Sequence, residues 1–339
     1  KLCTCRNQLM EAYPGQVREI RFFTSIAKGF RKPRTLLYLG ALLYWFMGRC
    51  RTRLPRLLSR KIIRREAPMV NASGLAGGME YSDCYLVKND TRFAFGFIQK
   101  VLKTGGSAIN YMELISAEWR DGLWYCALQD HVSGEVLAVR AKTIVNAAGP
   151  FADRINLMLG IESDFKHIFS KGAHIIVPQV TTTEHVLTFF ASDGRLFFMV
   201  PMGNRTCIGT TDTRVDNEAA EPTNDDVEFL LANANALLDL NAPLTKGDVI
   251  ATRCGVRPLV VRKAAEIDNT EWMALSRKHE IGVDAARKMC SVYGGKLTDC
   301  LNVGDEIVEI IESFGVAVHQ NKRWFGEETT PDETDPGDP

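Results

Sequence analysis

The clearest pattern of hydrophobic and polar positions lies near the carboxyl end of the chain. An apolar stretch from Met289 to Tyr293 is followed by two glycines and Lys296, and apolar residues then recur at helical spacing from Leu301 to Ile311. This pattern predicts a strand, a tight turn and a helix. Backbone N–H groups at a helix start favour negative charge, and the lysine adds a positive charge. We therefore expect a phosphate or an electron-rich ring edge here, although a simple glycine turn is the commoner reason for such a pair.

A second group of elements precedes it. Asn89 or Asp90 can cap a helix from about Thr91 to Lys103. Strands are predicted at 108–118, 123–129 and 136–140, separated by glycine turns, which makes an antiparallel meander. A short apolar strand then ends in the small residues Ala147, Ala148 and Gly149, and a helix follows. Small residues at the carboxyl end of a strand let a large ligand approach the backbone.

The remaining segments predict a mixed sheet with one helix. Strands are expected at 175–178, 186–190, 196–200, 207–209 and 247–252, and a helix from Thr223 or Asn224 to Leu238. Residues 161–285 are therefore interpreted as a separate substrate domain. Residues 1–34 are predicted to be irregularly helical, 35–48 to form a helix, 49–66 a basic connector and 74–78 a glycine turn.

Charge is distributed unevenly along the 339 residues, although the formal net charge is zero. Residues 1–65 hold sixteen Lys and Arg but only two acids, Glu11 and Glu19. This predicts a basic face for anionic lipid, nucleic acid or the acidic remainder of the chain. Residues 326–339 are rich in acids and proline, which predicts a disordered acidic tail.

The most apolar segment, 35–47, is flanked by arginines and is too short to span a membrane, which needs about 20 apolar residues. It is either a buried core helix or a helix lying in a membrane surface with its arginines on lipid phosphates. The nine cysteines form no CxxC pair, and Cys3-Thr4-Cys5 lacks the second half of a zinc site. The sequence therefore predicts no metal site and reduced thiols of an intracellular protein.

Several motifs occur in a fixed order along the chain: EYSDC (80–84), VNAAGP (145–150), KGAHIIVP (171–178), IGTTDT (208–213), GVRPL (255–259) and GGKLT (294–298). Each motif is weak alone, but the ordered set is specific. Over roughly residues 75–315 the chain resembles the FAD-dependent respiratory glycerol-3-phosphate dehydrogenases, which belong to the glycine-oxidase and D-amino-acid-oxidase type of flavoprotein.

The resemblance implies an α/β (α+β) fold with an incomplete Rossmann-like FAD-binding domain, a β-meander and an inserted mixed-sheet substrate domain. The implied ranges are 67–160 and 286–320 for the FAD-binding domain and 161–285 for the substrate domain, after a basic, helical, membrane-facing segment at 1–66. The chain lacks the GxGxxG and HGG segments and the helical C-terminal extension of such enzymes. After GGKLT it continues with Asp299-Cys300 instead of Thr-Tyr. It is therefore expected to be a fragment of a longer protein or a degenerate homologue.

The resemblance also implies the reaction, in which sn-glycerol 3-phosphate is oxidised to dihydroxyacetone phosphate by hydride transfer to FAD, with electrons passed to quinone. Arg257 and Lys296 match positions that face the substrate, and both carry substrate-binding and catalytic roles. Arg257 suits a bidentate phosphate contact and Lys296 a point-charge contact. His174 is the candidate base or a hydrogen-bonded structural histidine. Thr211, between Thr210 and Asp212, lines the substrate pocket or simply turns the chain.

The implied FAD contacts come from backbone groups in two turns: Ala147, Ala148, Gly149, Gly294, Gly295, Leu297 and Thr298. The expected partners are glycerol 3-phosphate, a quinone and a membrane surface, and no nucleic acid. The expected location is intracellular, on the inner face of the cytoplasmic membrane or on the mitochondrial inner membrane. Two alternatives stay open at this point. One is an FAD-dependent enzyme acting on another small hydroxy or amino acid, and the other is an inactive remnant that binds lipid or a partner.

Overall fold

The computed structural model describes residues 2–264 and 278–318, together with Gly326. Within these ranges the helices are α1 (Leu2–Ala12), α2 (Arg34–Met47), α3 (Arg60–Glu66), α4 (Asp90–Lys103), α5 (Ala152–Met158), α6 (Asn224–Leu237) and α7 (Cys300–Ser313). Short 3-10 turns lie at Gly149–Phe151, Lys246–Asp248 and Leu297–Asp299.

The strands of the same ranges are β1 (Val17–Ala27), β2 (Arg56–Leu58), β3 (Leu75–Leu86), β4 (Met112–Arg120), β5 (Leu123–Asp130), β6 (Val136–Ala141), β7 (Ile144–Asn146), β8 (Phe165–Pro178), β9 (Val186–Phe190), β10 (Leu196–Met202), β11 (Arg205–Gly209), β12 (Thr213–Val215), β13 (Ala251–Arg262), β14 (Glu280–Asp284) and β15 (Met289–Tyr293).

A nine-stranded sheet forms the centre of the described fold. Its order is β12-β8-β11-β10-β9-β1-β3-β2, and β13 pairs with β8. β1 runs antiparallel to β3 and parallel to β9. One face of this sheet is the main core, where Phe23, Ile175 and Phe197 are buried against Ile63 of α3 and Leu230 of α6. Since side chains alternate along a strand, the neighbours of these residues in the sequence point to the opposite face.

Two smaller sheets carry the rest of the fold. In the order β14-β15-β7, β15 is parallel to β7 and antiparallel to β14. The other sheet is the meander β4-β5-β6. Trp124 of β5 is buried in a cluster with Met289 of β15, and its indole N–H donates to the Arg287 carbonyl at 2.7 Å. This contact fixes the meander on the mixed sheet β14-β15-β7.

Much of the predicted secondary structure is confirmed, as is the α/β class. α2, α4, the meander, α6 and β15 lie where the patterns predict them. Asn89 caps α4 by accepting the Arg92 N–H at 2.6 Å, and Thr223 caps α6 within a capping box with Asp226. These elements are predictable because their signals are local.

Other predictions are wrong. Residues 17–27 of the supposed helical segment form β1, and the supposed turn at 74–78 falls largely within β3. β1 carries Arg21, whose charge is compensated by buried Glu80 at 2.9 Å on β3, a pairing that local pattern does not reveal. The predicted connector 49–66 contains β2 and α3, and the strand expected at 247 begins at Ala251 after a 3-10 turn.

The predicted domain boundaries stay predictions. The large sheet nevertheless joins strands from three of the predicted ranges, since β1, β3 and β8 all belong to it. The predicted tail, apart from Gly326, lies outside the described residues. In the described ranges, every helix is too short or too polar to cross a membrane.

Candidate active site

Two glycine turns follow the parallel strands β7 and β15 at the same end of the small mixed sheet. β7 and β15 are parallel neighbours, with Asn146 opposite Ser291, so the residues that follow each strand emerge side by side. Gly149 has a φ of 57°, and Gly294 and Gly295 have φ values of 62° and 96°. These left-handed conformations favour glycine because it lacks a Cβ. The structure thus brings together the two groups of predicted cofactor residues, 147–149 and 294–298.

Buried side chains that the sequence did not single out hold this end of the sheet. His167 is almost fully buried, its Nδ1 lies 2.9 Å from Asp153 Oδ2, and its Nε2 accepts the Gly294 N–H at 3.4 Å. Burial alone would raise the pKa of Asp153, but the hydrogen bonds from His167 outweigh it and hold the pKa below its usual value. Asn156 donates to the Tyr293 hydroxyl at 2.6 Å and accepts from Asn146 at 2.9 Å. This network ties both strand ends together.

His279 holds the segment after Lys296 in place through two side-chain contacts. Its two ring nitrogens lie 2.7 Å from Asp299 Oδ2 and 2.8 Å from Glu306 Oε2. A Cβ on Gly295 would lie 3.2 Å from the Cβ of His279, so the turn passes close to this histidine. Asp299 precedes α7, and the Lys296 side chain is exposed on the turn. His279 therefore fixes the start of α7 relative to the glycine turn.

The face of the large sheet opposite the main core carries the predicted substrate residues. His174 of β8 is opposite Arg253 of β13 and Gly209 of β11 in register. Arg257 lies on the same face as Arg253, because the two are separated by four residues on one strand. The structure therefore brings His174 and Arg257 together, as the sequence predicts, and adds Arg253.

Arg257 is held in a defined position. Its Nη2 donates to Thr210 Oγ1 at 3.0 Å, and its Nη1 lies 3.4 Å from Asp212 Oδ1. The guanidinium lies over Gly172, where a Cβ atom would overlap it. Asp212 also accepts from the Ser170 hydroxyl. The arginine is thus preorganised, which suits an anionic ligand.

His174 is held in its neutral form by its surroundings. Its ring lies against Gly209, where a Cβ would overlap the ring carbons. Burial, with the positive charges of Arg257 and Arg253, lowers the pKa of His174 to about 4. The imidazole is therefore neutral near pH 7. Binding of an anion beside it would favour the protonated form and make it a stronger base.

Thr211 is 3% exposed, and its hydroxyl accepts the Ala173 N–H at 2.9 Å. The Thr211 N–H in turn donates to the Ala173 carbonyl at 3.2 Å. These bonds give Thr211 a structural role between the β11 end and β8. Its predicted contact with substrate stays a prediction.

Two cavities flank the segment after the Gly294 turn. One, of about 560 Å³, is lined by Lys296, Thr298, Arg6, Tyr44 and Tyr81 among others. The second, of about 730 Å³, is lined by Leu297, Thr298 and Arg253 among others. Thr298 borders both cavities. Arg253, which is opposite His174 in register, lines the second cavity together with Leu297 and Thr298 of the predicted cofactor turn.

Arg6 is a functional candidate that the sequence did not indicate. It is 2% exposed, its Nη2 donates to Asn7 Oδ1 at 3.0 Å, and its guanidinium lies 5.0 Å from the Tyr44 ring centroid. Its buried Nη1 has no hydrogen-bond partner among the residues that the structure describes. A buried charged donor without an acceptor is costly, which is typical of a group that meets a ligand. Only the tertiary structure reveals it, because α1 has no distinctive motif.

The chemistry of this arrangement fits FAD. Gly149 has open space where a Cβ would be, and backbone groups of the two turns lie at adjacent carboxyl strand ends. The residues predicted to hold FAD remain Ala147, Ala148, Gly149, Gly294, Gly295, Leu297 and Thr298. No group of three or more His, Cys, Asp or Glu residues in the described ranges is arranged to hold a metal ion. The fold and site define an α/β cofactor-binding protein with a cationic sheet face beside the cofactor turns.

Comparison with known proteins identifies the family. The family described as FAD dependent oxidoreductase matches residues 17–281. The mitochondrial glycerol-3-phosphate dehydrogenase of Mus musculus is 28% identical over 273 residues, which cover 76% of this chain and 36% of that protein. Glycerol-3-phosphate dehydrogenase 2 of Mycobacterium bovis is 30% identical over 291 residues, covering 84% of this chain and 48% of that protein.

Among solved structures, the glycerol-3-phosphate dehydrogenase of Bacillus halodurans, complexed with FAD, is similar with a TM-score of 0.73 and 24% identity. The match covers 93% of this chain and 55% of that one, and it supports the fold. The chain belongs to the family of FAD-dependent oxidoreductases, and its cofactor is FAD. It spans between about a third and about half of the length of these curated relatives.

Proposed function

We propose that this chain forms part of an FAD-dependent glycerol-3-phosphate dehydrogenase, which oxidises sn-glycerol 3-phosphate to dihydroxyacetone phosphate with a quinone as the electron acceptor. The observation that carries the proposal is the preorganised Arg257 beside neutral His174 on one sheet face. The names of the curated relatives support the choice of substrate.

Each residue has a defined task in this proposal. Arg257 binds the substrate phosphate through its guanidinium, which Thr210 and Asp212 hold in place. Lys296 adds a point charge from the glycine turn. His174 accepts the proton of the C2 hydroxyl on a ring nitrogen. The chemistry that FAD would supply when bound is acceptance of the hydride that leaves C2.

The peptide N–H groups at the start of α7 favour negative charge at that place, which FAD would gain on reduction if it were bound there. His279 and Asp299 fix this helix start, and His167 fixes Gly294. The chain thereby positions donors before any charge develops, which is the most effective form of electrostatic stabilisation.

The test is reduction of a dye acceptor by the protein supplied with FAD, with glycerol 3-phosphate as substrate. We expect turnover with glycerol 3-phosphate and its loss in the Arg257→Leu variant. Exposed Arg140 of β6 offers a control as Arg140→Gln, which should leave turnover unchanged. Turnover of a 2-hydroxy acid or an amino acid that survives Arg257→Leu would instead support the other flavoenzyme reaction. A protein inert to all three substrate classes would support the inactive remnant.

We also propose a peripheral membrane contact through α2, on the inner face of the cytoplasmic membrane or on the mitochondrial inner membrane. The core-helix interpretation of this segment is wrong, since Ala41 is the buried residue of the helix and five large apolar side chains are exposed: Leu36, Leu39, Leu43, Phe46 and Met47. Arginines at 31, 34, 49, 51 and 53 flank it. An apolar face with a basic border suits anionic lipid.

A further inference from the structure

Two of the positively charged residues of the candidate site lie in recognised motifs, and a third, Arg253, does not. Arg257 belongs to GVRPL and Lys296 to GGKLT, whereas Arg253 precedes GVRPL. Arg253 is exposed and lines the 730 Å³ cavity with Leu297 and Thr298. The side chain of Arg253 has no hydrogen-bond or ion-pair partner in the part of the chain that the structure describes. Its charge is therefore available to a ligand in that cavity.

The sheet surface between Arg253 and Arg257, here called the floor, is formed by glycines and so lacks side chains. Along β13 the two arginines flank Gly255, and Gly255 is opposite Gly172 of β8. Since a strand rises about 3.3 Å per residue, the two arginine Cα atoms are about 13 Å apart. The Arg257 guanidinium lies over Gly172, which is opposite the midpoint of that span. A Cβ on Gly255 would meet no atom within 4 Å, so the space above the floor is open.

The two arginines differ in how far their charge is compensated. Arg257 has Asp212 at 3.4 Å, so part of its charge is already offset. The cavity that Arg253 lines contains a lysine and one carboxylate, Lys88 and Asp90, neither of which is paired with Arg253. The charge of Arg253 acts instead on two neighbours. Burial, Arg257 and Arg253 together lower the pKa of His174, and Arg253 offsets part of the rise that burial causes in the pKa of Cys207. An anion placed above Gly255 would therefore find its least compensated partner in Arg253.

We propose that Arg253 is a second anion-binding residue of the site, which together with Arg257 clamps the phosphate of a small phosphate monoester above Gly255. The inference rests on the proposed function and deepens it, since it assigns substrate specificity to a residue outside the shared motifs. Arg253 sets the preference for a phosphorylated substrate over its neutral alcohol. A dianion between two guanidinium groups gains charge-assisted hydrogen bonds from both. Such an anion also lies beside His174 and favours its protonated form.

The experiment measures binding of inorganic phosphate to the chain, followed through the imidazole resonances of His174. In the unchanged chain, phosphate should bind and raise the pKa of His174. Arg253→Gln should weaken phosphate binding about tenfold, since a hydrogen bond to a charged group contributes roughly that much. Arg253→Lys should recover part of the lost affinity, because lysine restores the positive charge but not the paired N–H donors of a guanidinium group. Arg140→Gln, an exposed arginine on the meander, is the matched control and should bind phosphate as before.

Two further readouts separate this proposal from the proposed function. In protein supplied with FAD, Arg253→Gln should raise the KM for glycerol 3-phosphate about tenfold while changing kcat and glycerol turnover little. Unfolding curves should coincide for the parent and Arg253→Gln, because this arginine has no partner among the described residues. If Arg253→Gln binds phosphate as tightly as Arg140→Gln does, the proposed role of Arg253 in phosphate binding is wrong, irrespective of which substrate the enzyme oxidises. If phosphate binding falls as expected while glycerol 3-phosphate is not oxidised, the clamp stands and the proposed function fails.

Discussion

The guanidinium group of Arg257 lies directly over Gly172 on the neighbouring strand. No other residue type fits at position 172 without moving the arginine, since even a methyl group would overlap it. The overlapping atoms are the far end of a flexible side chain, which can swing away at little cost to folding. A substitution at Gly172 should therefore displace the guanidinium group of Arg257 while changing the stability of the sheet little.

We predict that Gly172→Ala lowers phosphate affinity at least fivefold but changes the free energy of unfolding by less than about 1 kcal/mol, the usual range of a tolerated glycine replacement. Isothermal titration with inorganic phosphate and chemical unfolding give the two values. Gly96→Ala in α4, where a Cβ meets nothing within 4 Å, is the control for adding a methyl group elsewhere. Unchanged phosphate binding in Gly172→Ala would show that the observed position of Arg257 is unimportant.

A second prediction concerns the protonation of His174. Its pKa of about 4 reflects burial first and then Arg257 and Arg253, so Arg257→Gln should raise this pKa toward the ordinary value of 6.5. The measurement is an NMR titration of the imidazole. Arg140→Gln should not change the titration. A His174 pKa near 6.5 in the unchanged chain would contradict the structure.

The same lowered pKa predicts a dependence of stability on pH. Because the folded value lies below the unfolded one, the unfolded chain takes up the proton first as pH falls. The folded state should therefore lose stability between about pH 6.5 and pH 4, and His174→Gln should remove part of that loss. The difference between the two unfolding profiles isolates this histidine from the carboxylates that titrate in the same range. Parallel profiles would mean that His174 is not buried as observed.

Several residues of the candidate site were predictable from the sequence because their signals are local. Paired glycines after an apolar strand, and small residues after another, mark the turns at 147–149 and 294–295, and the structure places them at adjacent strand ends. The same holds for Arg257 and His174, which lie in recognisable motifs. Sequence reasoning could not find His167, His279 or Arg6, because their importance arises from partners over a hundred residues away or from burial. It also missed β1, whose buried Arg21 needs Glu80 of β3.

Glycine-to-alanine variants in the turns of the predicted FAD site can be compared for stability and for FAD affinity. The comparison distinguishes backbone strain from loss of contact with the cofactor. Gly149→Ala places a side chain at a φ of 57° in open space, which costs about 1 kcal/mol of stability. Gly149→Ala should also weaken FAD binding, and by more than the backbone strain alone would. The reason is that the added methyl group occupies the approach to the cofactor. Fluorescence quenching of added FAD measures the affinity.

Gly134→Ala, in a meander turn with a φ of 78° and open space, is the matched control and should lose stability but not FAD affinity. Gly294→Ala should destabilise more than either, because its Cβ would also lie 3.3 Å from the Lys278 carbonyl oxygen. Equal losses of FAD affinity in Gly149→Ala and Gly134→Ala would remove residues 147–149 from the cofactor site.

The last prediction tests the exposed face of α2. Leu43 and Phe46 are 59% and 71% exposed, so replacing either by Asp removes apolar surface without opening the core. If this face lies in a membrane surface, each change should weaken binding to anionic phospholipid vesicles about tenfold or more, because burying such a side chain contributes about 1.5–3 kcal/mol. Co-sedimentation measures the bound fraction. High salt should weaken binding further, since the flanking arginines act through screened charges.

Leu157 of α5 provides the control, because it is 82% exposed and lies outside the basic segment. Leu157→Asp should bind vesicles as the unchanged chain does. If all three variants bind equally, the apolar stripe of α2 does not contact lipid, and its exposure must serve another surface. If the unchanged chain fails to bind anionic vesicles at low salt, the flanking arginines and the stripe together are insufficient, and the membrane proposal fails for this chain.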